Sequence, residues 1–185
     1  MGRVCAMNRV KPVLLDEQQF ALMNALNRKH PRYKLLWLLG TCTGLRVSDV
    51  LRLSVSEARQ HVWSVTEKKT GKVRVIDFPV DLRDEIDRYV ERFHLKPNDY
   101  LIFSRSTRHD IPIGRQHAHY VISRAAASVG LDTIGTHSMR KTFAVDQYRR
   151  THDLEALRSI LNHTYVSTTL TYLVVTEGNK TSLVV

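Results

Sequence analysis

Four short segments carry side chains that could do chemistry. Residues 43–46 (Thr-Gly-Leu-Arg) and 137–140 (His-Ser-Met-Arg) each supply a guanidinium, residues 161–163 (Leu-Asn-His) supply an imidazole, and Tyr172 lies nine positions after His163. Together they offer a hydroxyl nucleophile and several groups that carry positive charge or move a proton. Cleavage of a phosphodiester without a metal ion needs such a set, because charge builds on the non-bridging oxygens as one oxygen attacks and another leaves.

The elements that must position these side chains are mostly helices. Apolar residues at helical spacing, with Gly and Pro at the breaks, predict helices at residues 16–28, 33–42, 47–53, 81–92, 115–129, 137–150, 154–161 and 168–173. Asp16 and Asp81 are expected to be N-cap residues. Alternating segments at 61–66 and 73–78 predict two strands joined by a hairpin turn at 69–72. The predicted fold is mainly α with a small antiparallel β-sheet (α+β).

Charge narrows the class of partner. The chain of 185 residues has 28 Lys and Arg against 18 Asp and Glu, a formal net charge of +10. This excess favours a polyanion, with nucleic acid as the first candidate and an anionic membrane surface as the competing one. No apolar run has the length of a transmembrane helix, so DNA is preferred. Cys5 and Cys42 indicate neither a disulfide framework nor a metal cluster, and no secretory signal is recognised, which predicts a cytoplasmic, nucleoid-associated protein.

The order of these segments resembles the catalytic domain of the tyrosine recombinases, also called phage integrases, from about Leu14 to Leu173. The residues that match the family's motifs are Arg46, Lys69, His137, Arg140, His163 and Tyr172. The resemblance implies a site-specific DNA recombinase or integrase that cuts and rejoins duplex DNA through a covalent 3′-phosphotyrosine. It also implies that no metal ion, cofactor or ATP is needed.

Arginine and tyrosine suit the roles that the resemblance implies. Arg46 and Arg140 can each donate paired hydrogen bonds to phosphate oxygens, and His163 would join them in stabilising the transition state. Tyr172 suits the nucleophile, because a phenol with a reference pKa of about 10 leaves more easily than a sugar hydroxyl. Tyr165 is the nearest competitor for this role, and Tyr172 as a half-buried aromatic is the structural alternative.

Proton transfer falls to a histidine and a lysine. His137 would assist transfer at the tyrosine, with a capping or core histidine as the alternative. Lys69, at the hairpin tip, would protonate the departing 5′ oxygen. Lys68 and Lys72 are adjacent alternatives in the same turn. Asp49 is expected to orient a neighbouring active-site group, and an exposed acid on a helix is almost as reasonable.

The chain departs from the family at three motif positions and at its N-terminus. Lys141 stands where a histidine often follows the motif arginine, and no histidine follows Tyr172, but neither change is disabling. Asn162 replaces the glycine of the Leu-Gly-His motif, which is tolerable because asparagine also adopts the left-handed conformation found after helix ends. We expect a basic arm or linker stub at residues 1–12, a catalytic domain at 13–173 and a C-terminal tail at 174–185. That tail is a candidate for exchange between subunits, and a frayed terminus is equally reasonable.

Assembly and rival functions follow from the same resemblance. The family's N-terminal DNA-clamping domain has no counterpart, so the chain is either an excised domain or a short recombinase. Family members assemble as tetramers on two DNA sites, in some cases with accessory DNA-bending proteins, and a monomer is expected without DNA. The alternatives are a non-catalytic DNA-binding regulator of a mobile element and a type IB topoisomerase.

Overall fold

A computed structural model describes residues 10–60, 62–105, 109–177 and 180–183. The helices are α1 (Asp16–Lys29), α2 (Pro31–Thr43), α3 (Val47–Val50), α4 (Val55–Ala58), α5 (Val80–Phe93), α6 (Arg115–Ala127), α7 (Thr136–Thr151), α8 (Leu154–Ile160) and α9 (Val166–Leu173). The strands are β1 (Val62–Thr66), β2 (Val73–Asp77), β3 (Val174–Glu177) and β4 (Lys180–Leu183). The prediction of a mainly α fold with a small antiparallel sheet is confirmed.

Helix α2 lies at the centre of the core. Its side chains are apolar almost all round, and Leu35, Leu36, Trp37 and Leu39 are fully buried. The helices α1, α5, α6 and α7 pack around it. Burying each of these side chains stabilises the fold by roughly 1.5–3 kcal/mol, so α2 anchors its neighbours. In the described part of the chain, no helix has the length and apolar character needed to cross a bilayer.

The end of α2 is fixed by a glycine. Gly44 has a φ of 62° and directly precedes the segment that carries Arg46. A Cβ atom at this position would lie 2.2 Å from the ring of Phe143 on α7, so both the backbone conformation and the space require glycine. The close approach brings the end of α2 against the helix that carries Arg140.

Strands β1 and β2 form the predicted hairpin. They pair antiparallel, with Trp63 opposite Ile76 and Val65 opposite Arg74, and every second residue is buried. Residue 61, the expected start of the first strand, lies outside the described residues. The turn carries residues 67–72 beyond the strands and directs them towards the end of α2.

Two predicted N-caps are wrong. Leu15 and Pro79 hold the N-cap positions of α1 and α5, and Asp16 and Asp81 lie inside the first helical turn. There the carboxylates still favour the helix, because the positive end of the dipole attracts them.

The predicted helix at 47–53 is shorter than expected, and the chain's tail is more regular. Helix α3 ends at Val50, and Ser54 with Glu57 forms a capping box that starts the separate helix α4. In the tail, β3 pairs with β4 as a second antiparallel hairpin. Residues 1–9 of the expected arm and residues 178, 179, 184 and 185 of the tail lie outside the described residues.

Candidate active site

Arg46 stands at the N-terminus of α3, directly after the turn that ends α2. Its backbone is extended, with φ of −68° and ψ of 144°, so the side chain leaves the turn before the helix begins. The Nη1 atom lies 2.5 Å from Oε2 of Glu67, and 16% of the side chain is exposed. This guanidinium is held by a carboxylate and can still be reached by an anion from solvent.

Arg140 is almost fully buried although it carries a charge. Its Nη1 atom donates to the carbonyl oxygen of Gly44 and its Nη2 atom to that of Leu161, both at 2.6 Å. These carbonyls belong to the ends of α2 and α8, so one side chain on α7 joins three helices. Burial lowers the pKa of Arg140, and the phenol of Tyr172 opposes this effect. The guanidinium remains charged, as arginine does in proteins.

A buried carboxylate, that of Glu67, lies between the two arginines. Its Oε2 atom accepts from Arg46 and from Oγ1 of Thr70 (2.9 Å), and its Oε1 atom lies 3.8 Å from Nη1 of Arg140 and 3.8 Å from Nη1 of Arg74. Burial raises the pKa of Glu67, but the hydrogen bonds from Thr70 and Arg46 and the nearby positive charges outweigh it and hold the pKa below its usual value. The carboxylate is therefore ionised at neutral pH.

His163 follows Asn162, whose φ is 52°, in the connection between α8 and α9. Its Nδ1 atom lies 3.1 Å from Oγ1 of Thr169, and its Nε2 atom lies 3.5 Å from Nη2 of Arg140. Because a guanidinium can only donate, Nε2 is the acceptor and Nδ1 carries the proton. Burial lowers the pKa of His163 to about 4, and the charges of Arg140 and Arg46 add to this effect.

Tyr172 lies on α9, one turn after Thr169 and on the same face. Its ring centroid is 5.0 Å from that of His163, and the two rings are tilted by 53°. Its phenol also interacts with Arg140. The competing candidate, Tyr165, is the N-cap residue of α9 and is 69% exposed. Of the two tyrosines, Tyr172 is therefore the one in contact with the charged cluster.

Lys69 and His137 line a cavity of about 310 Å³ beside the arginines. Its other walls are formed by Leu45, Arg46, Val47, Arg115, Thr136 and Arg140. Burial lowers the pKa of His137, and the charges of Arg140 and Lys69 lower it further. The imidazole is thus neutral at pH 7, which is the form that can accept a proton.

Asp49 is buried and contacts the hairpin. Its Oδ1 atom accepts from the backbone N–H of Lys68 (3.0 Å) and from Nη2 of Arg52 (2.8 Å). The alternative of an exposed acid is wrong, because the side chain has no exposed surface. Since Lys68 directly precedes Lys69, this contact fixes the backbone beside the candidate general acid.

The structure brings the six sequence-predicted side chains together: Arg46, Lys69, His137, Arg140, His163 and Tyr172. It also places three residues here that the sequence analysis did not select, namely Glu67, Arg74 and Arg115. The parity of the strands could have indicated the first two. Glu67 continues the buried face that Trp63 begins, and Arg74 shares the buried face with Ile76. Arg115 carries no such signal.

The arrangement has the charge and shape to bind a phosphate. Three guanidiniums and an ammonium group surround a space near a phenol, and two neutral imidazoles lie beside them. Such preorganised donors stabilise charge that develops on phosphate oxygens. Among the described residues, we find no cluster of His, Cys, Asp or Glu side chains suited to holding a metal ion.

The sequence matches one protein family over most of its length. The profile of the phage integrase family covers residues 12–178. The probable integrase/recombinase YoeC of Bacillus subtilis (strain 168) is 38% identical over 173 residues, which are 92% of this chain and 93% of YoeC. Tyrosine recombinase XerC of Staphylococcus epidermidis (strain RP62A) is 30% identical over 165 residues, which are 85% of this chain and 55% of XerC. The chain thus spans nearly all of YoeC and about half of XerC.

A solved structure has the same fold. The crystal structure of the XerH site-specific recombinase bound to a palindromic difH substrate, a post-cleavage complex, has a TM-score of 0.70 and 18% sequence identity. The match covers 92% of this chain and 51% of the XerH chain. At this level of identity, the likeness establishes the fold alone.

Proposed function

Because the chain belongs to the phage integrase family, the tyrosine recombinases, we propose that it is a site-specific recombinase that cuts and rejoins duplex DNA through a covalent 3′-phosphotyrosine at Tyr172. The observation that carries the proposal is the placement of Tyr172 against His163 and Arg140, beside a cavity that Arg46 and Lys69 line. A nucleophile, phosphate-binding cations and proton-transfer groups are therefore within one site.

The proposed cleavage step exchanges one phosphate ester for another. The phenolic oxygen of Tyr172 bonds to phosphorus, and the bond from phosphorus to the 5′ oxygen breaks. His137 takes the phenolic proton, and Lys69 gives a proton to the departing 5′ oxygen. A 5′ hydroxyl from another strand reverses the step, so the energy of the ester bond is kept in the phosphotyrosine and no ATP is consumed.

Arg46, Arg140 and His163 stabilise the phosphorane-like transition state in this scheme. Both arginines are fixed by hydrogen bonds before DNA arrives, so little reorganisation is needed during the reaction. Removal of one such donor typically costs about 10²–10³ in rate. Because these side chains supply the positive charge, the proposed reaction needs no metal ion.

We extend the proposal to the assembly on DNA. The net charge of +10 favours duplex DNA as the substrate, and the XerH neighbour is solved in complex with its DNA substrate. Four subunits would act on two sites, in some systems with accessory DNA-bending proteins, at the nucleoid in the cytoplasm. The β3–β4 hairpin is the segment proposed for exchange between subunits. Convergence of the six side chains argues against a non-catalytic regulator, and similarity to integrases argues against a type IB topoisomerase.

A covalent-trapping experiment tests the nucleophile. The protein is incubated with a randomised library of nicked duplexes, from which the cleaved 5′ strand diffuses away, and adducts are counted on a denaturing gel. We expect an adduct from the wild type and from Tyr165→Phe, and none from Tyr172→Phe, because only Tyr172 contacts the charged cluster. The reaction in EDTA without ATP should give the same yield.

Each contrary result has a separate meaning. An adduct that persists in Tyr172→Phe would show that another residue is the nucleophile. Absence of any adduct from the wild-type protein across the library would reject recombinase activity. An adduct that requires a divalent cation would reject the metal-independent mechanism.

A further inference from the structure

Glu67 is a buried charge that the proposed chemistry does not use directly. It lies immediately after β1, has no exposed side-chain surface and is surrounded by the guanidiniums of Arg46, Arg74 and Arg140. Burying a carboxylate is unfavourable unless it is paired and hydrogen-bonded. A position next to two catalytic candidates suggests that the cost is offset by what the carboxylate does to them.

The first effect is on the distance between the arginines. Two guanidiniums that must contact one phosphate repel each other before the phosphate arrives, and the repulsion is strong in a buried site. The Oε2 atom of Glu67 lies 2.5 Å from Arg46, while its Oε1 atom faces Arg140 and Arg74 at 3.8 Å. One carboxylate therefore neutralises part of the charge on both sides and holds the pair in place.

The second effect is on the hairpin turn. Oγ1 of Thr70 donates to Glu67, and the backbone N–H of Gly71 donates to the Glu67 carbonyl oxygen (2.9 Å). Lys69 lies inside this closed turn. The same residue that binds Arg46 thus fixes the position of the candidate general acid.

The hydrogen bonds of Glu67 are uneven. Oε2 has two donors, whereas Oε1 is buried without a hydrogen bond. Oε1 acts instead through its charge on the two arginines that it faces.

We propose that Glu67 is a positioning residue that sets the spacing of Arg46 and Arg140 and couples it to the placement of Lys69. The inference rests on the proposed recombinase function for its catalytic consequence. Its structural consequence, the coupling of the turn to Arg46, can be measured without any reaction.

The variant Glu67→Gln tests the proposal, because it keeps the shape and an acceptor oxygen but removes the charge. The matched control is Glu85→Gln, since Glu85 also binds two cations, Lys34 and Arg88, on a part of the fold away from the cavity. We expect the single-turnover cleavage rate of saturated Glu67→Gln to fall by about 10²-fold, with DNA affinity changed by less than about threefold. Glu85→Gln should cleave as the wild type does.

Hydrogen–deuterium exchange gives the readout that is independent of activity. Backbone amides of residues 68–72 should exchange at least about tenfold faster in Glu67→Gln than in the wild type, because the turn loses its link to Arg46. They should be unchanged in Glu85→Gln. Unchanged exchange in Glu67→Gln would overturn the coupling, and cleavage within threefold of the wild type would overturn the catalytic effect. If the wild type formed no adduct, the recombinase proposal would fail, and exchange alone would decide the role of Glu67.

Discussion

At the residue scale, the site combines permanently charged arginines with histidines kept neutral. Burial and the nearby guanidiniums of Arg140 and Arg46 bring the pKa of His163 to about 4. A phosphate bound between these guanidiniums would reduce the positive potential at the imidazole and raise that pKa. DNA binding would thus prepare His163 to donate to the phosphate, whereas in the free protein its Nε2 atom faces Arg140 as an acceptor.

The low pKa of His163 predicts how stability depends on pH. The folded pKa of about 4 lies below the unfolded value of about 6.5, so its contribution to stability is complete above pH 6.5 and is lost as pH falls towards 4. We expect His163→Gln to remove about 2–3 kcal/mol of the stability difference between pH 7 and pH 4.5.

Urea unfolding at the two pH values measures this effect. His119→Gln is the control, because His119 is exposed on α6. An equal loss of stability on acidification in His163→Gln and the wild type would contradict the buried, neutral state of His163.

At the element scale, the end of α8 sets the orientation of His163. Asn162 adopts the left-handed conformation, with φ of 52°, that the helix end requires. This confirms the expectation that asparagine can replace the family's glycine. The Nδ2 atom of Asn162 is buried without a hydrogen bond, so the side chain costs stability at this position.

Two substitutions at Asn162 should therefore have opposite effects. Asn162→Gly removes the unsatisfied amide and relaxes the backbone, so we expect stability to rise by up to about 1 kcal/mol and cleavage to be unchanged. Asn162→Ala puts a residue that tolerates the left-handed region poorly in place of one that tolerates it well, and should lower stability by about 1 kcal/mol. Thermal melting together with the trapping assay measures both. A more stable Asn162→Ala would show that backbone conformation is not what selects the residue here.

Sequence patterns predicted the elements better than their ends. The apolar spacing of α2 and α7 was sufficient, because burial of an apolar stripe determines a helix more strongly than any single residue does. The N-caps Leu15 and Pro79 could not be identified, since neither side chain can accept a hydrogen bond. Backbone geometry made by the preceding chain fixes those helix starts.

The site was predicted where residue type alone indicates chemistry, and missed where charge is normally on the surface. Arg46 and Tyr172 were identifiable from their motifs. Glu67 stands beside Lys68 and Lys69 in a turn, where a charged residue is usually solvated. Its burial depends on the guanidiniums of Arg46 and Arg140, which come from distant parts of the chain. Only the assembled fold shows that pairing.

At the scale of the whole molecule, the site exists only when the fold is complete. Its side chains come from the end of α2, the β1–β2 turn, α7, the end of α8, and α9, and Arg140 connects three of these elements through two carbonyl oxygens. Helix α2 holds α7 in place through the core. Mutations in the α2 core should therefore affect the site through the position of α7 rather than through any contact with DNA.

The excess of positive charge predicts a strong salt dependence of DNA binding. A protein that neutralises six to ten phosphates loses about 10³–10⁵ in affinity between 50 and 200 mM salt, because condensed counterions are released on binding. With a net charge of +10, we expect a loss of at least about 10³ for this chain. The cleavage rate at saturating protein should change little, since Arg140 and Glu67 are buried and poorly screened.

Arg115 and Arg59 offer a matched test of which charges face the DNA. Arg115 lines the cavity, whereas Arg59 is paired with Asp87 on another part of the surface. Arg115→Gln should reduce the slope of log affinity against log salt by about one unit, and Arg59→Gln should leave it unchanged. Fluorescence anisotropy on one labelled duplex measures both slopes. The reverse ranking would place the DNA on a different face and would separate the bound phosphates from the cavity.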